Sequence, residues 1–345
     1  MIHILTFFAY YDRIIVYDYK SLSIFYERNF MTMAINIIGM SDINGGLAAN
    51  PAEYARKCEE IYNGKLAEAA EKIRLDAKRK PLVLLSGPSG SGKTTSALRI
   101  SRLLRSKGLN VHTISMDNYF LPSGEGEIPL DENGNADLES PLRMDIPLFS
   151  EHLEKLFRCE PVAVPSFNFK KQSRTFGEKM CRQKDEIIII EGIHALNPEV
   201  TGDTDDFTTC VYVSVRTRIR DKDGTLLHPR SIRLMRRICR DMLFRGRDAK
   251  DVFAMVESVN RGEDLYIMPH KHRADFDIDT FLAYEPSVYK NTLLPELEKC
   301  PELAETSEDY SAMLKALTGL TSFDVKDVPA DSMVREFIGG SILKY

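Results

Sequence analysis

One octapeptide in the first third of the chain limits its fold more than any other feature. Residues 87–94 read Gly-Pro-Ser-Gly-Ser-Gly-Lys-Thr, which matches the pattern G-x-x-x-x-G-K-[ST] at every fixed position. An apolar run, Leu82–Leu85, precedes them, and a helical pattern begins at Lys93. In this context glycines let backbone N–H groups surround phosphate oxygens, and the helix N-terminus adds the positive end of its dipole. We therefore expect this phosphate loop and the residue after it to bind a nucleotide through Gly87, Ser89, Gly90, Ser91, Gly92, Lys93, Thr94 and Thr95.

Two side chains of the phosphate loop have a specific predicted role. Lys93 is expected to reach the β- and γ-phosphates, and the Thr94 hydroxyl is expected to bind Mg²⁺. The chain contains neither the N-K-x-D motif that reads guanine nor an L-S-G-G-Q signature, which disfavours a GTPase and a transport ATPase. A kinase of small molecules would need three further parts: a base, a second acid beside the metal, and arginines over the transferred group.

Short apolar runs alternate with helical patterns through the centre of the chain. Such alternation, with strongly apolar strands, predicts a parallel α/β sheet covered by helices on both faces. The predicted strands are Leu82–Leu85, Val111–Met116, Ile187–Ile190 and Cys210–Val215, and the predicted helices include Thr94–Lys107 and Leu148–Phe157.

Composition and charge exclude several classes of protein. The chain has 345 residues, of which 43% are apolar and 28% charged, so a collagen, a disordered chain and a low-complexity scaffold are excluded. Its net charge of −5 argues against a dedicated nucleic-acid-binding protein, which usually needs a basic surface. The six cysteines are scattered without a C-x-x-C pair, which favours free thiols in a reducing compartment and hence a cytoplasmic protein.

The first 30 residues are unusually aromatic. They hold 9 of the 31 Phe and Tyr residues, but Asp12, Arg13, Asp18 and Lys20 interrupt the run, and a membrane span needs about 20 apolar residues. A basic start and a small-residue cleavage site, the marks of a signal peptide, are not visible. The segment is either an added pair of strands or an extension outside the working fold. We favour an extension over residues 1–33.

Residues 34–80 are predicted to form a helical lead-in. Asn50-Pro51-Ala52-Glu53 offers an N-cap, a proline at the first helical position and an acid in the first turn. Apolar residues then recur at helical spacing up to Asn63-Gly64, and again after it. The pattern predicts two packing helices, the first with Ala55, Cys58, Ile61 and Tyr62 on its buried face and the second with Leu66, Ala69, Ala70 and Ile73.

Asp117 is the candidate base. It directly follows the predicted strand Val111–Met116, which a right-handed crossover is expected to lay beside the strand Leu82–Leu85. Asp117 would then lie at the carboxyl edge of the sheet, where ligands of open α/β folds bind, and could accept the proton of an attacking hydroxyl. The alternative is an aspartate that only caps a helix or a turn.

Glu191 is the candidate second acid. It closes the apolar run Ile187–Ile190, and a carboxylate at the end of a buried strand is costly without a partner. Mg²⁺ or its water shell is a natural partner, so Glu191 and Thr94 form the predicted metal site. The alternative is a carboxylate bonded to a neighbouring loop.

Seven arginines lie close together between residues 230 and 247. Several of them share one helical face, and so much like charge repels itself unless an anion meets it. A basic face for RNA is one alternative, but an acidic chain with a phosphate loop favours ATP phosphates. We interpret residues 228–248 as a lid that closes over the nucleotide and excludes water. The arginines are Arg230, Arg233, Arg236, Arg237, Arg240, Arg245 and Arg247.

Together these segments resemble the uridine kinase/phosphoribulokinase family of P-loop kinases, and most of all its longer bacterial uridine-kinase-like nucleoside kinases. The resemblance covers about residues 50–345 and rests on the order of the motifs, since only the phosphate loop is specific alone. The other motifs are SMDNYF (115–120), DENG (131–134), PSFNFKKQSR (165–174), IIEGIHAL (189–196), RLMRRICRDMLFRGR (233–247) and REFIGG (335–340).

The resemblance implies a P-loop NTPase-type sheet in a kinase domain over residues 81–285, with a substrate-binding insertion at about 118–180. A mostly helical extension over residues 286–345 would follow. The resemblance also implies that Asp117 is the catalytic base, assisted by Lys93 and Arg240, and that Glu191 is the acid beside the metal. Arg245 and Arg247 would contact ATP, and Arg237 the substrate.

For the acceptor pocket the resemblance is partial. Asp145 falls where uridine kinases carry an aspartate for the ribose hydroxyls, and Arg174 keeps part of their H-S-R motif. Phe167, Gln172 and Met255 replace a tyrosine, a histidine and a glutamine that help to hold ribose and base. Phe167 can still stack and Gln172 can still form hydrogen bonds, so a pocket is expected while its preferred base stays open.

The predicted activity is transfer of the γ-phosphoryl group of ATP, with Mg²⁺, to the 5′-hydroxyl of uridine or a related nucleoside. Two alternatives remain: a kinase of another acceptor, such as a sugar phosphate or a vitamin precursor, and a catalytically silent ATP-binding regulatory module. Neither a nucleic-acid partner nor a membrane is expected, and a homo-oligomer is compatible with the sequence.

Overall fold

The computed structural model describes residues 8–10, 13–15 and 36–343. The chain divides into two units, Met1–Asn36 and Ile37–Tyr345. In the first unit, the strands β1 (Phe8–Tyr10) and β2 (Arg13–Ile15) pair antiparallel. The aromatic N-terminus therefore contains a pair of short strands, one of the two predicted alternatives. The rest of residues 1–33 lies outside the described residues.

The second unit alternates strands and helices along the chain. Its strands are β3 (Ile37–Gly39), β4 (Leu82–Ser86), β5 (Asn110–Ser115), β6 (Pro165–Asn168), β7 (Ser173–Phe176), β8 (Glu186–Glu191), β9 (Thr208–Ser214), β10 (Arg218–Arg220), β11 (Leu226–Leu227) and β12 (Phe276–Asp279). Its α-helices are α1 (Met40–Ala49), α2 (Pro51–Asp76), α3 (Lys93–Ser106), α4 (Ile146–Phe157), α5 (Pro198–Thr201), α6 (Pro229–Arg245), α7 (Ala249–Ala254), α8 (Val256–Gly262), α9 (Glu285–Leu297), α10 (Glu308–Gly319) and α11 (Arg335–Ile338).

The centre of the second unit is a five-stranded sheet in the order β12-β9-β4-β8-β5, and every pairing in it is parallel. Its two faces carry separate apolar cores. In β4, Val83 and Leu85 contribute to one core, which includes residues of α2, α3, α6 and α9, while Leu82 and Leu84 contribute to the other, beneath α4 and α5. The predicted parallel sheet with helices on both faces is confirmed.

The predicted neighbour of β4 is wrong. The strand β5 does not lie beside β4, because β8 lies between them and pairs with both. The four isoleucines of β8 are fully buried, whereas Asn110, His112 and Thr113 of β5 are exposed. A strand that is apolar on both faces suits the middle of a sheet and a half-polar strand suits its edge. Asp117 still follows a strand at the carboxyl edge of the sheet.

The two helices predicted after Asn50 are one helix, and a further helix of the lead-in, α1, precedes it. α2 begins at the Asn50 cap, where Oδ1 accepts a hydrogen bond from the Glu53 amide at 3.1 Å, and it runs for 26 residues through Asn63-Gly64. Apolar side chains on both sides of Gly64 continue along one buried face, and their packing outweighs the cost of about 1 kcal/mol for a glycine inside a helix. Ile61 is 64% exposed, so its predicted burial is also wrong.

The last 60 residues are largely helical, as predicted, and α9 and α10 pack into the same core as α2 and α6. A small sheet in the order β11-β10-β3 and the hairpin β6-β7 complete the strands of the second unit. Among the described residues, no helix combines the length and the apolar character needed to cross a membrane.

Candidate active site

The phosphate loop connects β4 to α3, as the sequence predicts. Gly90 and Gly92 have φ angles of +72° and +82°, a region that residues with a Cβ rarely adopt. At Gly87 the requirement is space, because a Cβ there would lie 1.9 Å from the carbonyl oxygen of Val213 on β9. Glycine is therefore needed at all three positions for the loop to keep this shape.

Side chains from distant parts of the chain hold three consecutive carbonyl oxygens of the phosphate loop. Because these donors lie outside the loop, its conformation is fixed before any ligand arrives, and such preorganisation favours binding and catalysis. The bonds are Arg233 Nη1 to Ser89 O (3.3 Å), Arg236 Nη1 to Gly90 O (3.0 Å) and Thr280 Oγ1 to Ser91 O (2.8 Å).

The first half of α6 is therefore not part of a lid, and the prediction is wrong there. Arg233 Nη2 donates to both carboxylate oxygens of Glu263, at 2.8 and 2.7 Å. Arg236 forms an ion pair with Glu285, and both side chains are 0% exposed. Arg230 also pairs with Glu263. In the sequence these arginines look like one basic face open to a ligand. In the structure that face is buried against the phosphate loop and α9, so the arginines stabilise the fold.

Asp117 lies beside the phosphate loop, on the 3₁₀ turn Met116–Tyr119 that follows β5. Its side chain reaches solvent, yet protein atoms around it displace bulk water, and this desolvation raises the pKa of the carboxyl. The positive charges of Lys93, Arg245 and Arg240 act in the opposite direction. The structure thus brings together the predicted base, the loop lysine and two predicted lid arginines.

Glu191 ends β8 directly beside the start of α3. Its Oε1 accepts a hydrogen bond from Thr94 Oγ1 at 3.4 Å. Burial raises the pKa of the Glu191 carboxyl to about 7; Lys93 opposes this shift and the negative charge of Asp117 adds to it. The two predicted metal ligands are therefore adjacent, and both offer oxygen atoms.

The C-terminal end of α6 carries the remaining arginines that are predicted to form a lid. Arg240, Arg245 and Arg247 approach one carboxylate, that of the fully buried Asp241, at 3.1, 3.2 and 3.3 Å. One carboxylate cannot balance three guanidinium groups, so this end of α6 keeps an excess of positive charge. Gly246 follows with a φ of +64° and ends the helix.

Arg237 differs from its neighbours. It is 8% exposed, and the described part of the chain provides no hydrogen bond or ion pair for its guanidinium, whose Nε is buried without an acceptor. It lines a small, partly open pocket of about 30 Å³ with Ser89 of the phosphate loop, and Arg230, Arg233 and Asp309 line the same pocket. A buried guanidinium stays charged and is costly without an anionic or polar partner, so a negatively charged group is needed near Arg237.

Glu139 faces Arg237 and was missed by the sequence analysis. Burial raises the pKa of its carboxyl, while Arg237 and Lys93 act in the opposite direction. Its backbone is held by Asp137, whose carboxylate accepts from the Glu139 amide at 3.2 Å and from Arg261 Nη1 at 2.9 Å. The insertion carries many acidic residues in irregular segments, and no periodic pattern distinguishes Glu139 among them.

The predicted acceptor-pocket residue Asp145 has structural partners. Its carboxylate caps α4 by accepting from the Leu148 amide at 3.1 Å and pairs with Arg174 Nη1 at 2.8 Å. Arg174 also lies 3.5 Å from Glu125. The structure thus joins Asp145 and Arg174 to each other, and their contact with a substrate stays a prediction.

The hairpin β6-β7 lies against the turn that carries Asp117. The Phe167 amide donates to Asn118 Oδ1 at 3.2 Å, and the rings of Phe167, Phe120 and Phe169 pack together with centroids 5.0 to 5.9 Å apart. Gln172 has a φ of +48° and its amide donates to Phe169 O at 2.7 Å, so this side chain stabilises the hairpin turn. Phe167 is therefore nearer to the candidate base than the sequence separation suggests.

Comparison with known proteins shows which family the chain belongs to. A sequence profile described as "Phosphoribulokinase / Uridine kinase family" matches residues 82–283, more than half of the chain. The chain belongs to this family. The uridine kinase of Bacillus pumilus is 34% identical over 203 residues, which are 58% of this chain and 87% of that protein. The uridine kinase of Geobacillus sp. is 32% identical over 202 residues, with 58% and 86% covered.

Solved structures resemble this phosphoribulokinase/uridine kinase family member only weakly. The structure described as a possible uridine kinase from Bacillus stearothermophilus has a TM-score of 0.42 and 18% identity, and covers 63% of this chain and 98% of its own. Family membership makes the protein an ATP-dependent kinase, and the phosphate loop, Asp117 and Glu191 all fall inside the matched residues 82–283.

Proposed function

We propose that this kinase transfers the γ-phosphoryl group of ATP to the 5′-hydroxyl of uridine or a related nucleoside. The observation that carries the proposal is the position of Asp117: this exposed residue lies close enough to Lys93, Arg240 and Arg245 for their charges to act on its carboxyl pKa. The relatives named uridine kinase support the choice of acceptor.

In the proposed reaction Asp117 acts as the general base. The acceptor oxygen forms a bond to the γ-phosphorus, the bond from that phosphorus to the bridging oxygen of ADP breaks, and the hydroxyl proton moves to the Asp117 carboxylate. The raised pKa of this carboxyl makes it a stronger base than an ordinary aspartate. Lys93, Arg240 and Arg245 would balance charge on the transferred group.

The residues present fit a magnesium ion. Mg²⁺ prefers oxygen ligands, and Thr94 Oγ1 and the Glu191 carboxylate provide them side by side. The raised pKa of Glu191, about 7, reflects a buried carboxylate that a nearby cation would stabilise in its charged form. Bound there, the ion would neutralise negative charge on the phosphates of ATP.

The acceptor would lie between Asp117 and the pair Glu139–Arg237. A carboxylate is a strong acceptor for the hydroxyls of a ribose, and Arg237, whose Nε has no acceptor, offers donors beside Glu139. The ring of Phe167, anchored next to Asp117 through Asn118, would pack against the base. Asp145 and Arg174 would border this pocket from the start of α4 and from β7.

A second candidate acceptor is a sugar phosphate. The specific observation in its favour is Arg237, because a buried guanidinium without a partner is well matched to a phosphate group. With a nucleoside as the acceptor, only the ATP phosphates could balance the charge of Arg237. The phosphate group of a sugar phosphate would instead pair with Arg237 directly.

An acceptor screen with ADP release as the readout tests the proposal. Wild-type protein with ATP and Mg²⁺ is assayed against uridine, cytidine, other nucleosides, sugar phosphates and a vitamin precursor such as pantothenate. Turnover with a pyrimidine nucleoside supports the proposal, and turnover only with sugar phosphates supports the second candidate. ATP binding without turnover on any acceptor would instead identify a regulatory module.

A further inference from the structure

The C-terminal segment, defined here as residues 332–340, is fixed firmly to the body of the kinase. Arg335 donates to four backbone carbonyl oxygens around it, which holds the segment in one conformation. Ser332 bonds to the hydroxyl of Tyr284 at 2.9 Å. The four acceptors of Arg335 are Val325 (2.9 Å), Val328 (2.6 Å), Pro329 (3.4 Å) and Gly339 (3.4 Å).

This segment contacts the phosphate loop and the first turn of α3. Met333 is 0% exposed and packs on Gly92, where an added Cβ would lie 2.4 Å from its sulfur. Glu336 accepts a hydrogen bond from the hydroxyl of the fully buried Thr95. Thr94 and Thr95 therefore donate to two different carboxylates, Glu191 on one side of α3 and Glu336 on the other.

The same segment also contacts α6. The buried ring of Phe337 lies under the guanidinium of Arg236, 5.3 Å from ring centroid to Cζ, and Arg236 is the side chain that holds Gly90 O. Near the other end of α6, an added Cβ on Gly339 would lie 3.1 Å from Leu243 Cδ2. Residues 332–340 thus join the phosphate loop, the start of α3 and the helix that carries the lid arginines.

We propose that Glu336 is a positioning residue for ATP phosphate binding. By accepting from Thr95 it fixes the first turn of α3, and with it the Lys93 and Thr94 side chains that face the phosphates. A hydroxyl in a helix can otherwise donate to the carbonyl four residues earlier, as Ser96 does toward Gly92 O at 2.7 Å, and such bonds bend a helix. The inference rests on the proposed binding of ATP phosphates by this loop.

A double-mutant cycle on Glu336 and Thr95 tests the proposal. Glu336→Ala and Thr95→Val each remove the bond, and each variant is expected to bind ATP about tenfold more weakly, which corresponds to about 1.4 kcal/mol. Binding of adenosine, which has no phosphate, is expected to stay within twofold. The double variant is expected to bind ATP no more weakly than either single variant, because one shared interaction is removed.

Conservative variants and a matched control separate positioning from general stability. Thr95→Ser keeps the hydroxyl that Thr95→Val removes, so its ATP affinity is expected to equal that of the wild type. The control is Asp327→Ala, which removes an exposed acid from the same region of the chain. Melting temperatures without nucleotide are measured for every variant. Glu336 variants that bind ATP normally, or that lose ATP and adenosine affinity equally with a lowered melting temperature, would overturn the inference.

The outcome for wild-type protein keeps this inference distinct from the proposed function. If wild-type protein binds and turns over ATP but the Glu336 and Thr95 variants are unchanged, only the positioning role fails. If wild-type protein has no measurable ATP affinity, the proposed function fails and the positioning role fails with it.

Discussion

At the scale of single residues, the kinase depends on charges that protein atoms have separated from bulk water. Asp117, Glu191 and Glu139 all have raised carboxyl pKa values because of burial, and Lys93 lowers each of them. Lys93 is thus the common positive centre of three carboxylates from three different segments. Anionic phosphates bound at this centre would bring further negative charge. The arginines of α6 supply the positive charges that can balance it.

Asp117→Asn tests the role of the base. The amide keeps the shape of the side chain but cannot accept the hydroxyl proton, so kcat is expected to fall by about 10²–10⁴-fold while the Kd for ATP stays within about threefold. Steady-state kinetics and nucleotide titration measure the two quantities. Asp185→Asn, which changes an exposed acid before β8, is the control and should leave both unchanged. A parallel loss of ATP affinity and kcat would mean that Asp117 only shapes the site.

His194→Gln tests a buried histidine that we assign no chemical role. Burial lowers the pKa of His194 to about 4, below its ordinary value of 6.5, so the unfolded chain takes up the proton first. The stability linked to this group is therefore complete above pH 6.5 and is lost as the pH falls towards 4. Between these pH values the free energy of unfolding of the wild type should fall by on the order of 2 kcal/mol more than that of the variant.

Denaturant titrations at several pH values measure this difference for His194. The control is the comparison of the same two proteins above pH 7, where the imidazole of His194 is neutral in the folded and the unfolded chain and their difference should not change with pH. Parallel curves for the wild type and His194→Gln would contradict the burial of an uncharged imidazole.

At the scale of elements, α2 shows how packing overrides a local signal. Asn-Gly is a strong turn signal, yet the helix continues through it because apolar residues on both sides lie on one buried face. Two shorter helices would have required a loop between segments that pack on the same surface. The continuous helix instead places its whole apolar face against the core shared with α3.

Gly64→Ala is expected to stabilise the protein by about 0.5–1 kcal/mol. Its backbone is helical and an added Cβ meets nothing within 4 Å, so alanine lowers the entropy of the unfolded chain without strain. Gly108→Ala is the matched control: the space is equally open, but a φ of +83° makes alanine destabilising there. Urea unfolding midpoints measure both, and a destabilised Gly64→Ala would contradict a continuous α2.

The junction of α6 and α9 depends on the Arg236–Glu285 ion pair. Glu285→Gln leaves a fully buried guanidinium uncompensated beside the phosphate loop, and loss of one partner of such a pair costs about 3–5 kcal/mol. The free energy of unfolding should fall by that amount. Glu302→Gln, which removes the exposed partner of Lys250, is the control and should cost under about 1 kcal/mol. Equal effects of the two variants would show that Arg236 is not held by Glu285.

At the scale of the whole molecule, the kinase is organised around the carboxyl edge of one sheet. β4, β5 and β8 each end beside the candidate site, and α6 contacts the phosphate loop before it reaches the arginines that the sequence predicts to form a lid. The C-terminal segment closes this arrangement by contacting both the loop and α6. A hydrogen bond thus joins two residues that are 241 positions apart in sequence, Thr95 and Glu336.

Deletion of residues 1–33 is expected to leave kcat/KM for ATP within about twofold. The second unit, Ile37–Tyr345, contains the complete central sheet and every predicted site residue, so the chemistry needs nothing from the aromatic N-terminus. Steady-state assays of the shortened and the full chain give the comparison. A loss of more than about tenfold in an otherwise folded protein would show that the extension belongs to the working enzyme.

Local sequence alone was enough to predict the α/β class, the strand–loop–helix context of the phosphate loop, and the positions of Asp117 and Glu191 at the ends of strands; the roles of the two carboxylates stay predictions. These features depend on short-range rules: apolar runs form strands, glycines permit one loop conformation, and acids that end buried strands need a partner. The family resemblance was also readable from motif order, and the matched residues 82–283 confirm it.

Tertiary structure decided what depends on burial between distant segments. The order of β8 and β5, the continuity of α2 and the burial of Arg233 and Arg236 of α6 follow from which faces lose contact with water. So does the approach of Glu139 to Arg237 and of Glu336 to Thr95. A charge on a helix looks the same in sequence whether it will meet a ligand or a buried partner, because only the folded packing sets its surroundings.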